Sequence, residues 1–147
     1  MYLDIMKLCI LNGPNLNLLG SREPEEYGSD SLDELESRLG KQFPELEFSF
    51  YQSNHEGDLI DWLQGAADEG ASGVILNPGG FTHTSVAIRD AIAGIQTPVV
   101  EVHITNIASR ESFRHVSITS GPTEGQISGF GLDGYVLAVR FFIDRSE

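Results

Sequence analysis

Cations are scarce in this chain. Lys and Arg together number 9 against 22 Asp and Glu, a formal net charge of -13 over 147 residues. Nucleic-acid binding is driven mainly by neutralising phosphates with Lys and Arg, so a nucleic-acid partner is excluded, and an anionic membrane surface is disfavoured for the same reason. Only two lysines occur, Lys7 at the start of an apolar run and Lys41 late in a helical stretch. Neither is placed to face a pocket at the strand ends, which removes covalent catalysis by an amine. Cysteine occurs once, as Cys9 inside an apolar run. An intrachain disulfide is impossible, Cys9 reads as a small core residue, and a cytoplasmic setting is the natural one. No apolar run is long enough to span a bilayer. Met1 to Met6 contains Asp4 and lacks a long apolar stretch, so no secretory signal is expected there. A Walker loop and a glycine-rich dinucleotide fingerprint are both missing. His83, His103 and Glu101 lack the local spacing of zinc ligands, so no metal site is expected.

What is there is a globular composition of 40% hydrophobic residues with 16 glycines, at the size of one domain spanning residues 1–147 around a single core. Residues 7–12 (KLCILN) read as a buried strand ending at Asn-Gly-Pro. Ser31 caps a helix that must end by Phe43, because Pro44 follows. The alternating, aromatic run 47–52 (EFSFYQ) is the second strand. A helix from about Glu56 to Glu69 puts Leu59, Leu63, Ala66 and Ala67 on one face, with Trp62 nearby and Gly70 as its stop. Residues 74–77 form a third strand leading into Pro78–Ser85, then a helix from about Ser85 to Ile95. Residues 98–103 (PVVEVH) form a fourth strand, 104–114 carries a short helical turn, a fifth strand lies near 126–130, and a final helix runs over 132–144. In that helix Tyr135, Val136, Val139, Phe142 and Ile143 face inward. This alternation predicts an α/β, flavodoxin-like three-layer sandwich with a five-stranded parallel sheet. Ligands in such sheets bind outside the carboxyl ends of the strands, where Asn12, Asn15, Asn77, His83, Glu101, His103 and Thr105 collect.

The stretch 11–28, LNGPNLNLLGSREPEEYG, is too long for an ordinary connection and too apolar at Leu16, Leu18 and Leu19 for a solvated linker. Its second half, Ser21 to Gly28, has the composition of a segment able to close over a site. Glu101 and His103 are two apart on a strand and so share a face. His103 is then either a general acid whose tautomer Glu101 fixes or a structural histidine tied into a loop. His83, in a Thr-His-Thr-Ser loop, reads as a ligand contact or a loop anchor, and His55 and His115 as surface or structural residues. Tyr27 becomes a base only if its phenol is acidified, which Arg22 on the same loop can do; otherwise it packs the loop. Arg22, Arg89, Arg110 and Arg114 cluster in or near the site loops of an acidic chain. A small anionic ligand accounts for that, as does the general polarity of loops.

These motifs, LNGPNLNLLGSREPEEYG, NPGGFTHTSVAIRDA, EVHITN followed by SRESFR, and GFGLDGY, closely resemble those of the type II 3-dehydroquinate dehydratases, from about Lys7 to Phe142. The resemblance implies dehydration of 3-dehydroquinate to 3-dehydroshikimate through an enolate, with no metal or organic cofactor. It implies Tyr27 as the base, Arg22 as the group that lowers its pKa, His103 as the acid for the departing hydroxyl, Glu101 as its support, and Asn15 as the holder of a water at the enolate oxygen. It further implies that Asn77, the Ile104 amide and Thr105 hold the carboxylate, while His83, Asp90 and Arg114 hold the ring hydroxyls. The residue matching Asp90 acts from a neighbouring subunit in that family, which assembles as a homododecamer, a tetramer of trimers. Thr105 stands where serine is common and adds a methyl group; Phe81 stands where tyrosine is frequent and lacks its hydroxyl. Both bear on the Michaelis constant. The same reaction serves aromatic amino-acid biosynthesis through the shikimate pathway and quinate breakdown. The competing reading is a catalytically degenerate small-anion-binding module on the same fold. A phosphoacceptor receiver domain would need clustered acids after the first strand and a late lysine, and a flavodoxin a Ser/Thr-rich phosphate loop; the chain has neither.

Overall fold

Lys7–Asn12 (β1) lies in the interior of the sheet, bonded on one side to Glu47–Gln52 (β2) and on the other to Gly73–Asn77 (β3). The computed structural model describes residues 5–20 and 31–146. Val99–His103 (β4) pairs with β3, and Gly125–Ser128 (β5) completes a five-stranded sheet in the order β2-β1-β3-β4-β5, all pairs parallel. That is the flavodoxin-like order anticipated from the alternation of elements. Strands β3 and β4 are buried along their whole length, as parallel strands covered on both faces must be.

Four helices provide the cover: Leu32–Gln42 (α1), Glu56–Gly65 (α2), Val86–Gly94 (α3) and Asp133–Arg145 (α4). The strand period of two sends Leu8 and Ile10 to one face, against Leu35 and Leu39 of α1 and Tyr135, Val139 and Phe142 of α4. Cys9 and Leu11 go to the other face, against Leu59 and Leu63 of α2 and Ile88 and Ile92 of α3. The apolar interior is therefore two clusters divided by the sheet, where composition alone suggested one core. Helices of 9 to 13 residues are marginal in isolation, so burial of these side chains, at about 1.5–3 kcal/mol for each fully buried Leu or Ile, is what holds them. Ser31 caps α1 by accepting from the Glu34 amide at 3.1 Å, and Ser85 caps α3 by accepting from Ile88 at 2.9 Å.

Three boundaries depart from the sequence pattern. Helix α2 stops at Gly65, and Ala67, expected on the buried face, is exposed in the turn that follows. The Ala71 amide bonds back to the Ala66 carbonyl, Gly70 takes a φ of 81°, and the Glu69 carbonyl is held by Lys7 Nζ at 3.2 Å. β5 begins at Gly125 and ends at Ser128, because Gly129 turns the chain with a φ of 98° and leaves Phe130 exposed. The segment after β4 forms two 3-10 turns, Ile107–Ser109 and Ser112–Arg114, in place of one.

Candidate active site

Register brings the loops together. Asn12 and Asn77 are partners across β1 and β3, so both strands finish at the same level. The Gly13 amide donates to the Asn77 carbonyl at 2.8 Å, and a Cβ at Gly13 would lie 2.5 Å from the Pro78 carbonyl oxygen. Only glycine permits that approach of two backbones. Beyond it, Leu16–Leu18 forms a 3-10 turn that buries Leu16 beside the first core, with Leu19 buried after it. Asn15 precedes this turn in the left-handed region at φ 70°, which asparagine tolerates, and its backbone N–H donates to Asn54 Oδ1 at 2.9 Å. Gln52, at the end of β2, donates from Nε2 to the Gly13 carbonyl at 3.2 Å and to Asn54 Oδ1 at 3.2 Å. Gln52 and Asn54 thus brace the first loop from the sheet edge.

The cavity above these strand ends is lined by Asn15, Asn77, His83, His103, Ile104, Thr105, Arg110 and Arg114, among others. His103 is 5% exposed and Glu101 is fully buried behind it. His103 Nε2 donates to Glu101 Oε2 at 2.8 Å, which leaves Nδ1 as the other ring nitrogen. Glu101 does not line the cavity, so its link to it runs through His103. Its carboxylate also accepts from Ser117 Oγ at 2.7 Å and from the buried Thr119 hydroxyl. A buried carboxylate is costly unless its oxygens are satisfied, and here three side chains share that work. Ser117 and Thr119 are site residues that sequence reasoning missed, since they stand 16 and 18 positions from Glu101 in a stretch without periodicity.

The backbone after His103 is pinned from β5. The Gly129 amide donates to the His103 carbonyl at 3.1 Å, the Gly131 amide to the Ile104 carbonyl at 2.9 Å, and Ser128 Oγ to the Thr105 carbonyl at 3.2 Å. This fixes the peptide that carries the Ile104 and Thr105 amides. His83 donates from Nδ1 to the Val116 carbonyl at 2.9 Å, since a carbonyl can only accept. Arg110 and Arg114 reach the same cavity, both paired with Glu111 at 3.7 and 3.1 Å. A hydrogen bond from its own backbone holds the Glu111 carboxyl below the usual carboxylate range, with Arg114 and Arg110 adding to the effect. His115 Nε2 donates to the Arg110 carbonyl at 2.9 Å, a structural role.

Not every expected residue is gathered there. Tyr27 and Arg22 lie outside the described residues. Asp90 is exposed on α3 and does not line the cavity of its own chain. Arg89, grouped with the site arginines on sequence, instead holds the Ile118 carbonyl through Nη1 at 2.8 Å. Phe81 packs against the second core. Cys9 is 1% exposed, and burial, aided by Glu69, pushes its thiol up to about 11, which suits a core residue and not a nucleophile. Among the described residues no three His, Cys, Asp or Glu side chains form a metal-ligand set, and no helix is long and apolar enough to cross a membrane. What the cavity offers is a histidine backed by a buried carboxylate, amide donors and two arginines. That set suits proton transfer on a small anionic, hydroxylated molecule.

Comparison with known proteins agrees with this chemistry. The family model described as dehydroquinase class II matches residues 6–143. The chain is 54% identical over 143 residues to the 3-dehydroquinate dehydratase of Bacillus licheniformis, covering 95% of this chain and 97% of that protein. It is 52% identical over 142 residues to the 3-dehydroquinate dehydratase of Deinococcus radiodurans, covering 95% and 99%. The crystal structure of type II dehydroquinase from Butyrivibrio crossotus superposes with a TM-score of 0.91 at 44% identity, covering 94% of this chain and 97% of that one.

Proposed function

Because the chain belongs to the class II dehydroquinase family and is a hydro-lyase with 3-dehydroquinate dehydratase activity, we propose a division of labour among its residues. Tyr27, as a phenolate favoured by the positive charge of Arg22, removes the proton next to the ketone. The electron pair moves onto the ketone oxygen to give an enolate, which a water held by Asn15 stabilises. As the enolate collapses, the carbon–oxygen bond breaks and imidazolium His103 protonates the departing hydroxyl, so that water leaves with 3-dehydroshikimate. Tyr27 ends protonated and His103 neutral, and proton exchange with solvent restores both. Preorganised donors at the enolate and an acid at a poor leaving group are what this elimination requires.

The observation that carries the reading is the buried Glu101–His103 pair opening onto the cavity. Glu101 stabilises the charged imidazolium, and its own oxygens remain satisfied by Ser117 and Thr119. Asn77, the Ile104 amide and Thr105 bind the substrate carboxylate; His83 and Arg114 bind the ring hydroxyls. The exposed position of Asp90 supports its acting on the site of a neighbouring subunit within a dodecamer of four trimers. Light scattering is expected to give the mass of twelve chains; a stable, fully active monomer would contradict the role assigned to Asp90. The lone buried cysteine supports a cytoplasmic enzyme, and its reaction belongs to the shikimate pathway to aromatic amino acids and to quinate breakdown.

The reaction uses neither metal nor Schiff base. Of the lysines, Lys7 is held by the Glu69 carbonyl and Lys41 lies in α1, and neither lines the cavity. Absorbance of the conjugated enone product is therefore expected to rise at the same rate after treatment with a chelator and after treatment with borohydride in the presence of 3-dehydroquinate. Loss of turnover after either treatment would overturn the proposal.

A further inference from the structure

The final motif, GFGLDGY, ends in a tyrosine that the reaction does not use. Tyr135 is fully buried under the sheet, yet its hydroxyl is not idle. It donates to Asn12 Oδ1 at 2.5 Å and accepts from Asn77 Nδ2 at 3.1 Å. The directions are determined by a third contact: Gly79 donates its backbone N–H to Asn77 Oδ1 at 3.1 Å, so the other end of the amide, Nδ2, must face the phenol. The phenol oxygen therefore accepts, and its own proton goes to Asn12. Burial keeps the phenol protonated by raising its pKa well above the ordinary tyrosine value, so this donor persists through the working pH range. The result is a polarised chain, Asn77 to Tyr135 to Asn12, joining the ends of two neighbouring strands.

We infer that Tyr135 is a positioning residue for substrate binding, its hydroxyl setting which edge of the Asn77 amide is presented to the substrate carboxylate. This rests on the reading of Asn77 as a carboxylate ligand. With Oδ1 on Gly79 and one Nδ2 hydrogen on Tyr135, Asn77 has one N–H left for the cavity it lines. Without the hydroxyl, Asn77 Nδ2 and Asn12 Oδ1 are left as a buried donor and a buried acceptor on register partners. Their nearest remedy is to bond each other, which turns the Asn77 amide out of its binding orientation. The reacting atoms and the Glu101–His103 pair are untouched by that rotation, so the loss falls on binding.

The test compares Tyr135→Phe, Asn77→Ala and Val139→Ala. Val139 lies one turn further along α4 in the same core and touches neither asparagine's role, so its variant reports what general loosening of that helix does. Tyr135→Phe is expected to raise KM for 3-dehydroquinate about tenfold while kcat stays within about threefold, whereas Val139→Ala lowers the melting temperature and keeps KM. A wild-type KM in Tyr135→Phe, with KM raised in Asn77→Ala, would overturn the positioning role alone. A wild-type KM in Asn77→Ala would overturn the carboxylate reading beneath it. If Tyr135→Phe does not fold, Asn12→Ala removes the acceptor and keeps the ring: a raised KM supports the inference and an unchanged one overturns it.

Discussion

Tyr27→Phe is expected to bind 3-dehydroquinate with near-native affinity and to lose kcat by at least about 10²- to 10⁴-fold, the range over which a positioned general base contributes. The substitution keeps the ring and deletes the oxygen proposed to take the proton, while the carboxylate contacts assigned to Asn77, Ile104 and Thr105 and the hydroxyl contacts assigned to His83 and Arg114 remain. Calorimetric affinity and steady-state turnover measured on the same preparation separate the two effects. Near-normal turnover would show that Tyr27 is not the base.

His103→Gln is expected to be comparably severe, with kcat reduced about 10²- to 10⁴-fold, because hydroxide leaves poorly when nothing protonates it. Glutamine can offer an N–H in the direction of Glu101 but cannot carry the proton that imidazolium supplies. The geometry makes this a demanding test. Glu101 keeps its bonds from Ser117 and Thr119 in the variant, so the buried carboxylate is not stranded and loss of activity cannot be assigned to collapse of the site. Retained turnover would show that His103 is not the acid, and a lowered melting temperature alongside it would return His103 to the status of a structural histidine.

The sheet was legible because parallel strands buried on both faces leave short apolar runs, and the stops are chemical: Asn-Gly-Pro after β1 and Asn-Pro-Gly-Gly after β3. The capping role of Ser31 was legible for the same local reason. The Glu101–His103 bond followed from a spacing of two on one strand. What sequence left dark depends on contacts across long separations. The turn that follows α2 is tied to the sheet through Glu69, whose carboxylate receives the Tyr51 hydroxyl and whose carbonyl receives Lys7, both from neighbouring strands. Arg89 looked like part of the site until its guanidinium was found on the Ile118 carbonyl. Ser117 and Thr119 sit in a segment interrupted by Gly121 and Pro122, with no period to suggest that they return beneath Glu101. Tyr135 was legible as core from its helical face, but its hydroxyl partners lie 58 and 123 residues away.

The central claim is that proton removal by Tyr27 precedes, and is separate from, loss of the hydroxyl assisted by His103. Deuterium incorporation into unreacted 3-dehydroquinate, followed by proton NMR in heavy water, tests it most directly. With His103→Gln the proton next to the ketone is expected to exchange for deuterium while little water is lost, because the enolate still forms and returns; with Tyr27→Phe no enzyme-dependent exchange is expected. Exchange that survives in Tyr27→Phe, or that vanishes in His103→Gln while substrate still binds, would contradict the account.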